Sequence, residues 1–110
     1  MSIKLEDIKK LPKVLLHDHL DGGLRAQTVI DLAHEMNIVL PENDAQKLAQ
    51  WFYTESTAKN LERCLKSFAV TCSVMQTVAS LERIAYEMIA DMAADNVLYV
   101  ETRFCPALHT

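Results

Sequence analysis

Residues 15 to 22 read LLHDHLDG. An apolar run ends in two histidines one residue apart, followed by an Asp and two glycines, and this order limits the fold more than any other stretch. Val14, Leu15 and Leu16 are apolar without alternation, which suits a strand covered on both faces, as in parallel sheets. Alternate residues of a strand share a face, so His17 and His19 project together, about 6 to 7 Å apart by strand rise, while Asp18 points away. Two neutral imidazoles so placed can converge on one metal ion, and zinc suits them. At the C-terminal end of a barrel strand they would sit where catalytic sites are built. Asp21 falls just past the strand, in a loop that would rim a pocket, and Gly22 and Gly23 let the backbone turn and approach a ligand. The plainer reading makes the histidines hydrogen-bonded residues of a strand end and Asp21 an acid at a helix N-terminus.

The rest of the chain alternates with this strand. Residues 1 to 12 form a polar lead with a possible helical turn, stopped by Pro12. A helix is predicted over residues 26 to 36, where Val29, Ile30, Ala33 and Met36 recur at helical spacing before Asn37. Asp44 can cap a helix reaching about Tyr53. A longer helix is predicted over residues 58 to 75, with Leu61, Cys64, Leu65, Phe68 and Cys72 along one face. Another runs over residues 77 to 96, striped by Val78, Leu81, Ala85, Met88 and Met92 and widened by Ile84 and Ile89. Then VLYVETRF, residues 97 to 104, reads as a second strand, ended by Cys105-Pro106.

Strand, helices, strand is a crossover unit with parallel strands. Two parallel strands cannot close a sheet. The expected fold class is therefore α/β, with residues 1 to 110 as the N-terminal piece of a larger α/β protein. Length agrees, since 110 residues suffice for one domain and not two. Glu101 and Arg103 share a strand face with Val97 and Tyr99; burial there would require them to be paired, with each other or with neighbours, as structural residues, and pocket electrostatics is the sharper alternative. A chain ending here is expected to expose strand edges and helix stripes.

Net charge is -4 with no Lys/Arg cluster, so neither nucleic acid nor a membrane surface is an expected partner. No apolar run approaches the roughly 20 residues of a membrane span. Cys64, Cys72 and Cys105 form no CxxC pair, and no apolar signal segment follows Met1. Buried thiols in a reducing cytoplasm are expected.

KVLLHDHLDGGLRAQTVIDLA, residues 13 to 33, resembles the first strand, loop and helix of the adenosine deaminases, metal-dependent amidohydrolases whose first strand ends in HxHLDG. DMAADNVLYVETRFCP, residues 91 to 106, is similar to their second strand, and NLERCLKSF, residues 60 to 68, resembles the helix that covers the substrate pocket. The resemblance implies a single TIM (β/α)8 barrel domain with one zinc ion per complete active site, residues 1 to 110 being its N-terminal part, truncated after the second strand. It implies zinc ligation by His17 and His19, a ribose-hydroxyl contact at Asp21, and a pocket wall at Leu61 and Leu65. Cys64 stands where the family often has an aromatic residue. His109 matches no family ligand, and His34 falls in a helix; both read as ordinary histidines.

The implied reaction is zinc-dependent hydrolytic deamination of adenosine or 2′-deoxyadenosine to inosine and ammonia, in purine salvage, with a small nucleoside as substrate. The related adenine deaminases tend to carry Glu where Asp21 stands, which favours nucleoside over free base. The resemblance puts the remaining zinc ligands, the proton-shuttling Glu and an orienting His on later strands of a barrel of about 250 residues. Two imidazoles are half of a four-ligand zinc site. No catalytic residue is therefore expected within residues 1 to 110, which alone should be inactive without the rest of the barrel. The alternatives are a related amidohydrolase acting on adenine or another aminopurine, and a noncatalytic helical module whose HxH is structural.

Overall fold

The structure, a computed structural model, describes residues 3–109. A short helix α1 (Leu5–Lys10) leads into strand β1 (Lys13–His19) and a 3-10 turn (Leu20–Gly22). Four helices follow, α2 (Ala26–Glu35), α3 (Ala45–Ser56), α4 (Leu61–Ser73) and α5 (Val78–Ala94). Strand β2 (Val97–Arg103) and a second 3-10 turn (Pro106–Leu108) complete the described residues. The strands pair in parallel, as a right-handed crossover requires. This is the α/β opening expected of a (β/α)8 barrel.

Local chemistry sets the boundaries. The Asp44 carboxylate accepts from the Lys47 amide at 3.0 Å and opens α3. Asn60 accepts from Arg63 N at 3.2 Å and opens α4 at Leu61, where its apolar stripe begins and three residues later than the predicted range. The delay has a backbone cause: Lys59 sits at φ 51°, outside helical space. Thr77 and Ser80 cap α5 reciprocally. Asn37 and Asn96 end α2 and α5 in the left-handed conformation, at φ 55° and 57°. β1 starts when Lys13 N donates to Asn96 O at 2.9 Å, and it runs through both histidines to His19.

The ladder is irregular between Lys13 and Val14 and between Leu15 and Asp18. The second irregularity falls on the segment containing His17, where a bulge can re-aim a side chain. The core lies among the helices, in Val29, Leu32, Ala33, Leu48, Val74, Met75 and Ile84, with Leu20 joining from the turn after β1. Across the outside, Arg25 pairs with Asp91, and Arg83 reaches Asp31 at 2.8 Å and Glu87 at 3.0 Å, tying α2 to α5.

Two expectations change. The strands are not buried on both faces: Val14, Leu16 and Leu98 are exposed. The faces of a parallel sheet are covered by its crossover helices and by barrel closure, and two strands with these helices supply only part of that cover. On the same open surface Glu101 and Arg103 are exposed and do not pair with each other. Tyr99 Oη donates to Glu101 at 2.9 Å and Arg103 Nη2 donates to Leu16 O at 3.2 Å. The apolar stripe of α4 faces away from the core, in keeping with a pocket wall at Leu61 and Leu65. Ser67 and Thr71 face the core, while Leu61 is 74% exposed and Leu65 56%.

Candidate metal and substrate site

The outward stripe of α4 has a counterpart. Leu61, Cys64, Leu65 and Phe68 form one wall of a cleft of about 530 Å³, and Arg103, Phe104 and Cys105 at the end of β2 form the other. His19 and Asp21 line it between them. The predicted pocket residues Leu61 and Leu65 thus meet Asp21 and His19 in one place, at the C-terminal ends of both strands.

His17 and His19 share a face as the strand period requires, and their rings are closer than strand rise alone gives. The Nε2 atoms stand 3.1 Å apart, with ring centroids 5.1 Å apart. Two ligands of a tetrahedral ion with Zn–N bonds of about 2.0 to 2.1 Å have an edge of roughly 3.3 Å. The donor set therefore fits two corners of one zinc site. Without an ion the same separation is a hydrogen bond, one ring donating to the other.

Support for the pair comes from the turn behind it. His19 Nδ1 lies 3.6 Å from Asp21 Oδ1, and Phe68 meets the His19 ring edge-on at 5.9 Å. The turn is fastened to α4 where Thr71 Oγ1 donates to the Asp21 carbonyl at 2.5 Å. Gly22 serves here by its size. Neither glycine has a positive φ, but a Cβ at Gly22 would meet Phe68 Cζ at 3.2 Å. The missing side chain lets the Phe68 ring lie against the turn.

Asp21 differs from the expected rim residue. It is 4% exposed, and its Oδ1 has no hydrogen-bond partner among the described residues. A buried carboxylate facing a cleft with an unused lone pair is ready to accept from a hydroxyl donor. His109, read as ordinary, is partly buried behind it: Nδ1 donates to the Met75 carbonyl at 3.0 Å. His34 is exposed in the last turn of α2, as an ordinary surface histidine.

The thiols depart from the expected buried set. Cys64 and Cys72 are half-buried and Cys105 is exposed, because the end of β2 opens on the cleft. Burial pushes the Cys72 thiol up from its ordinary value, with the nearby Asp21 and Cys105 adding to the shift. Arg103 lines the cleft, in keeping with the pocket-electrostatics reading, whereas Phe104 and Cys105 were not foreseen as pocket residues. The available signal was their position at the C-terminal end of a barrel strand.

A model of the family described as adenosine deaminase matches residues 12–110. An adenosine deaminase of Mycobacterium avium (strain 104) is 52% identical over 108 residues, covering 97% of this chain and 30% of that relative. One of Mycobacterium ulcerans (strain Agy99) is 53% identical over 106 residues, covering 96% and 29%. Among solved structures, the N6-mAMP deaminase MAPDA of Arabidopsis superposes with a TM-score of 0.70 at 28% identity, over 93% of this chain and 30% of that one. Arabidopsis ADAL complexed with GMP gives 0.67 at 27% identity, over 91% and 29%. The chain thus spans about 30% of the length of the relatives it matches.

Proposed function

The chain belongs to the adenosine deaminase family, and on that premise we propose that it forms the metal- and nucleoside-binding corner of a zinc-dependent enzyme converting adenosine and 2′-deoxyadenosine to inosine and ammonia, in purine salvage. The observation that carries this reading is the 3.1 Å separation of the His17 and His19 Nε2 atoms beside a cleft that holds a buried, unpartnered carboxylate.

His17 and His19 would hold the zinc. When bound, zinc supplies the Lewis acidity that makes water a competent nucleophile near neutral pH. Asp21 accepts a hydrogen bond from a ribose hydroxyl. Leu61 and Leu65, with Phe68, form the apolar wall against which a purine packs and from which water is displaced. Phe68 packs edge-on against the His19 ring and helps to hold it in place. A carboxylate at the ribose end disfavours a phosphate on that sugar, so a nucleoside suits the cleft better than a nucleotide. The other metal ligands and the proton-moving groups are assigned to the remainder of the barrel, and residues 1 to 110 alone would be inactive. Three free thiols favour a reducing cytoplasm.

The test is the complete enzyme carrying Asp21→Ala, assayed on adenosine, adenine and AMP with zinc content measured alongside. A hydrogen bond to a charged group contributes about 1.5–3 kcal/mol, so kcat/KM for adenosine should fall roughly 10- to 100-fold with zinc retained. Adenosine turnover at the wild-type level would remove Asp21 from substrate recognition.

A further inference from the structure

Behind the cleft, two buried polar atoms have no hydrogen-bond partner among the described residues, Asp21 Oδ1 and His109 Nε2. A carboxylate oxygen of Asp21, the Sγ of Cys72 and a ring nitrogen of His109 lie within 4.8 Å of one another. They come from three separate elements: the turn after β1, helix α4 and the segment after β2. Buried acceptors left unpaired cost about 1–3 kcal/mol each, so the cluster calls for positive charge or a shared donor. The His109 ring is set up for the first. A carbonyl only accepts, so the contact with Met75 O puts the hydrogen on Nδ1 and leaves the Nε2 lone pair free. A ring N–H held by a backbone carbonyl is how ligating histidines are oriented at metal sites.

We propose that Asp21, Cys72 and His109 form a second cation site, separate from the His17–His19 pair, for a divalent ion that takes mixed sulfur, nitrogen and oxygen ligands, zinc foremost. Ligand atoms around such an ion sit roughly 3.3–3.7 Å apart, so the cluster closes by about 1 Å when filled. Binding breaks the Cys72 S–H bond, forms a sulfur–metal bond and releases the proton to solvent. Burial pushes the Cys72 thiol up, which keeps it protonated until a metal competes for it. The ion also draws on the Asp21 carboxylate. On the reading of Asp21 as the ribose partner, a metal here competes with nucleoside; that coupling rests on the proposed function, whereas the site itself does not.

Cobalt(II) titration of the full chain tests the site, because thiolate ligation gives cobalt an intense near-ultraviolet charge-transfer band that nitrogen and oxygen ligands do not. The band should saturate at one equivalent and persist in His17→Ala/His19→Ala and in Cys105→Ser. It should vanish in Cys72→Ser, and His109→Gln should weaken cobalt affinity about 10- to 100-fold or more, the range that even outer partners of a metal command. No thiolate band in the wild type, or an undiminished band in Cys72→Ser, would overturn the site. If Cys72→Ser does not fold, alkylation of Cys72 in the wild type decides instead. Zinc at ten times its dissociation constant should slow alkylation about tenfold, and equal rates with and without zinc would contradict the proposal. Excess zinc should also raise KM for adenosine in the wild type. A Cys72 band with a KM indifferent to zinc would keep the site and discard the ribose role of Asp21.

Discussion

Leu48, in the first turn of α3, is fully buried, while Leu98, near the start of β2, is 77% exposed. The two leucines belong to differently organised regions. Around Leu48 the helices close on one another, with capped ends and an outer network of Arg25, Asp31, Arg83, Glu87 and Asp91. Around Leu98 the sheet has its pairing but little cover, and the chemistry-bearing side chains lie at its C-terminal end. The helical region provides a packed support. The strand ends present His17, His19 and Asp21 from it, and the turn between them is held by Thr71 and Phe68.

The contrast can be broken at its strongest point first. Leu48→Ala should destabilise the complete protein by about 2–5 kcal/mol in denaturant melts without altering metal content, as expected for a cavity in a closed core. A complete barrel would cover the β2 face, so in the complete protein Leu98→Ala should cost a comparable amount despite its exposure in these 110 residues. A cost within about 0.5 kcal/mol, typical of a surface site, would leave that face open and break the barrel reading.

A smaller effect is expected where the two regions meet. Gly22→Ala places a methyl against Phe68 and should cost about 1–3 kcal/mol, the range for overpacking, while disturbing the edge contact on His19. Phe68→Leu in the same chain should relieve it. A double variant no more stable than Gly22→Ala alone would show that the fit between turn and ring is not what requires glycine.

The smallest effect concerns the outer network. Gln27 and Arg83 hold Asp31 below the usual carboxylate range, and Arg25 does the same for Asp91. For Glu87, burial pushes upward, but the Thr28 hydroxyl and Arg83 outweigh it and the net shift is down. Carboxylates depressed in the folded state contribute stability above their unfolded values, near pH 4, and lose it as pH falls through the folded ones. Melting temperature should therefore drop on acidification below about pH 4, and Arg83→Gln should flatten that drop. An unchanged acid profile in Arg83→Gln would mean the network is only surface decoration.

Much of this was legible in the residues. HxH on a strand announces a shared face, and Asp44 marks a helix start by the chemistry of its side chain. Periodicity could not say which way the α4 stripe faces, because an apolar pocket wall and an apolar core face share one spacing. Leu61 and Leu65 were placed in the pocket by family resemblance, and the spacing alone would have put them in the core. The burial of Asp21 was not legible either, since it depends on Thr71, fifty positions away in the chain. His109 looked ordinary for the same reason: its partners, Met75 and the Asp21–Cys72 cluster, come from distant segments.

The central claim is that His17 and His19 hold one zinc ion between them at the mouth of a nucleoside cleft. The most direct measurement is tightly held zinc, determined after exhaustive dialysis, in the complete protein and in the His17→Ala and His19→Ala variants, with adenosine turnover followed in parallel. The account predicts that each single substitution removes the tightly held ion and the activity together, because each removes one corner of the same site. Full zinc occupancy in both variants would contradict it.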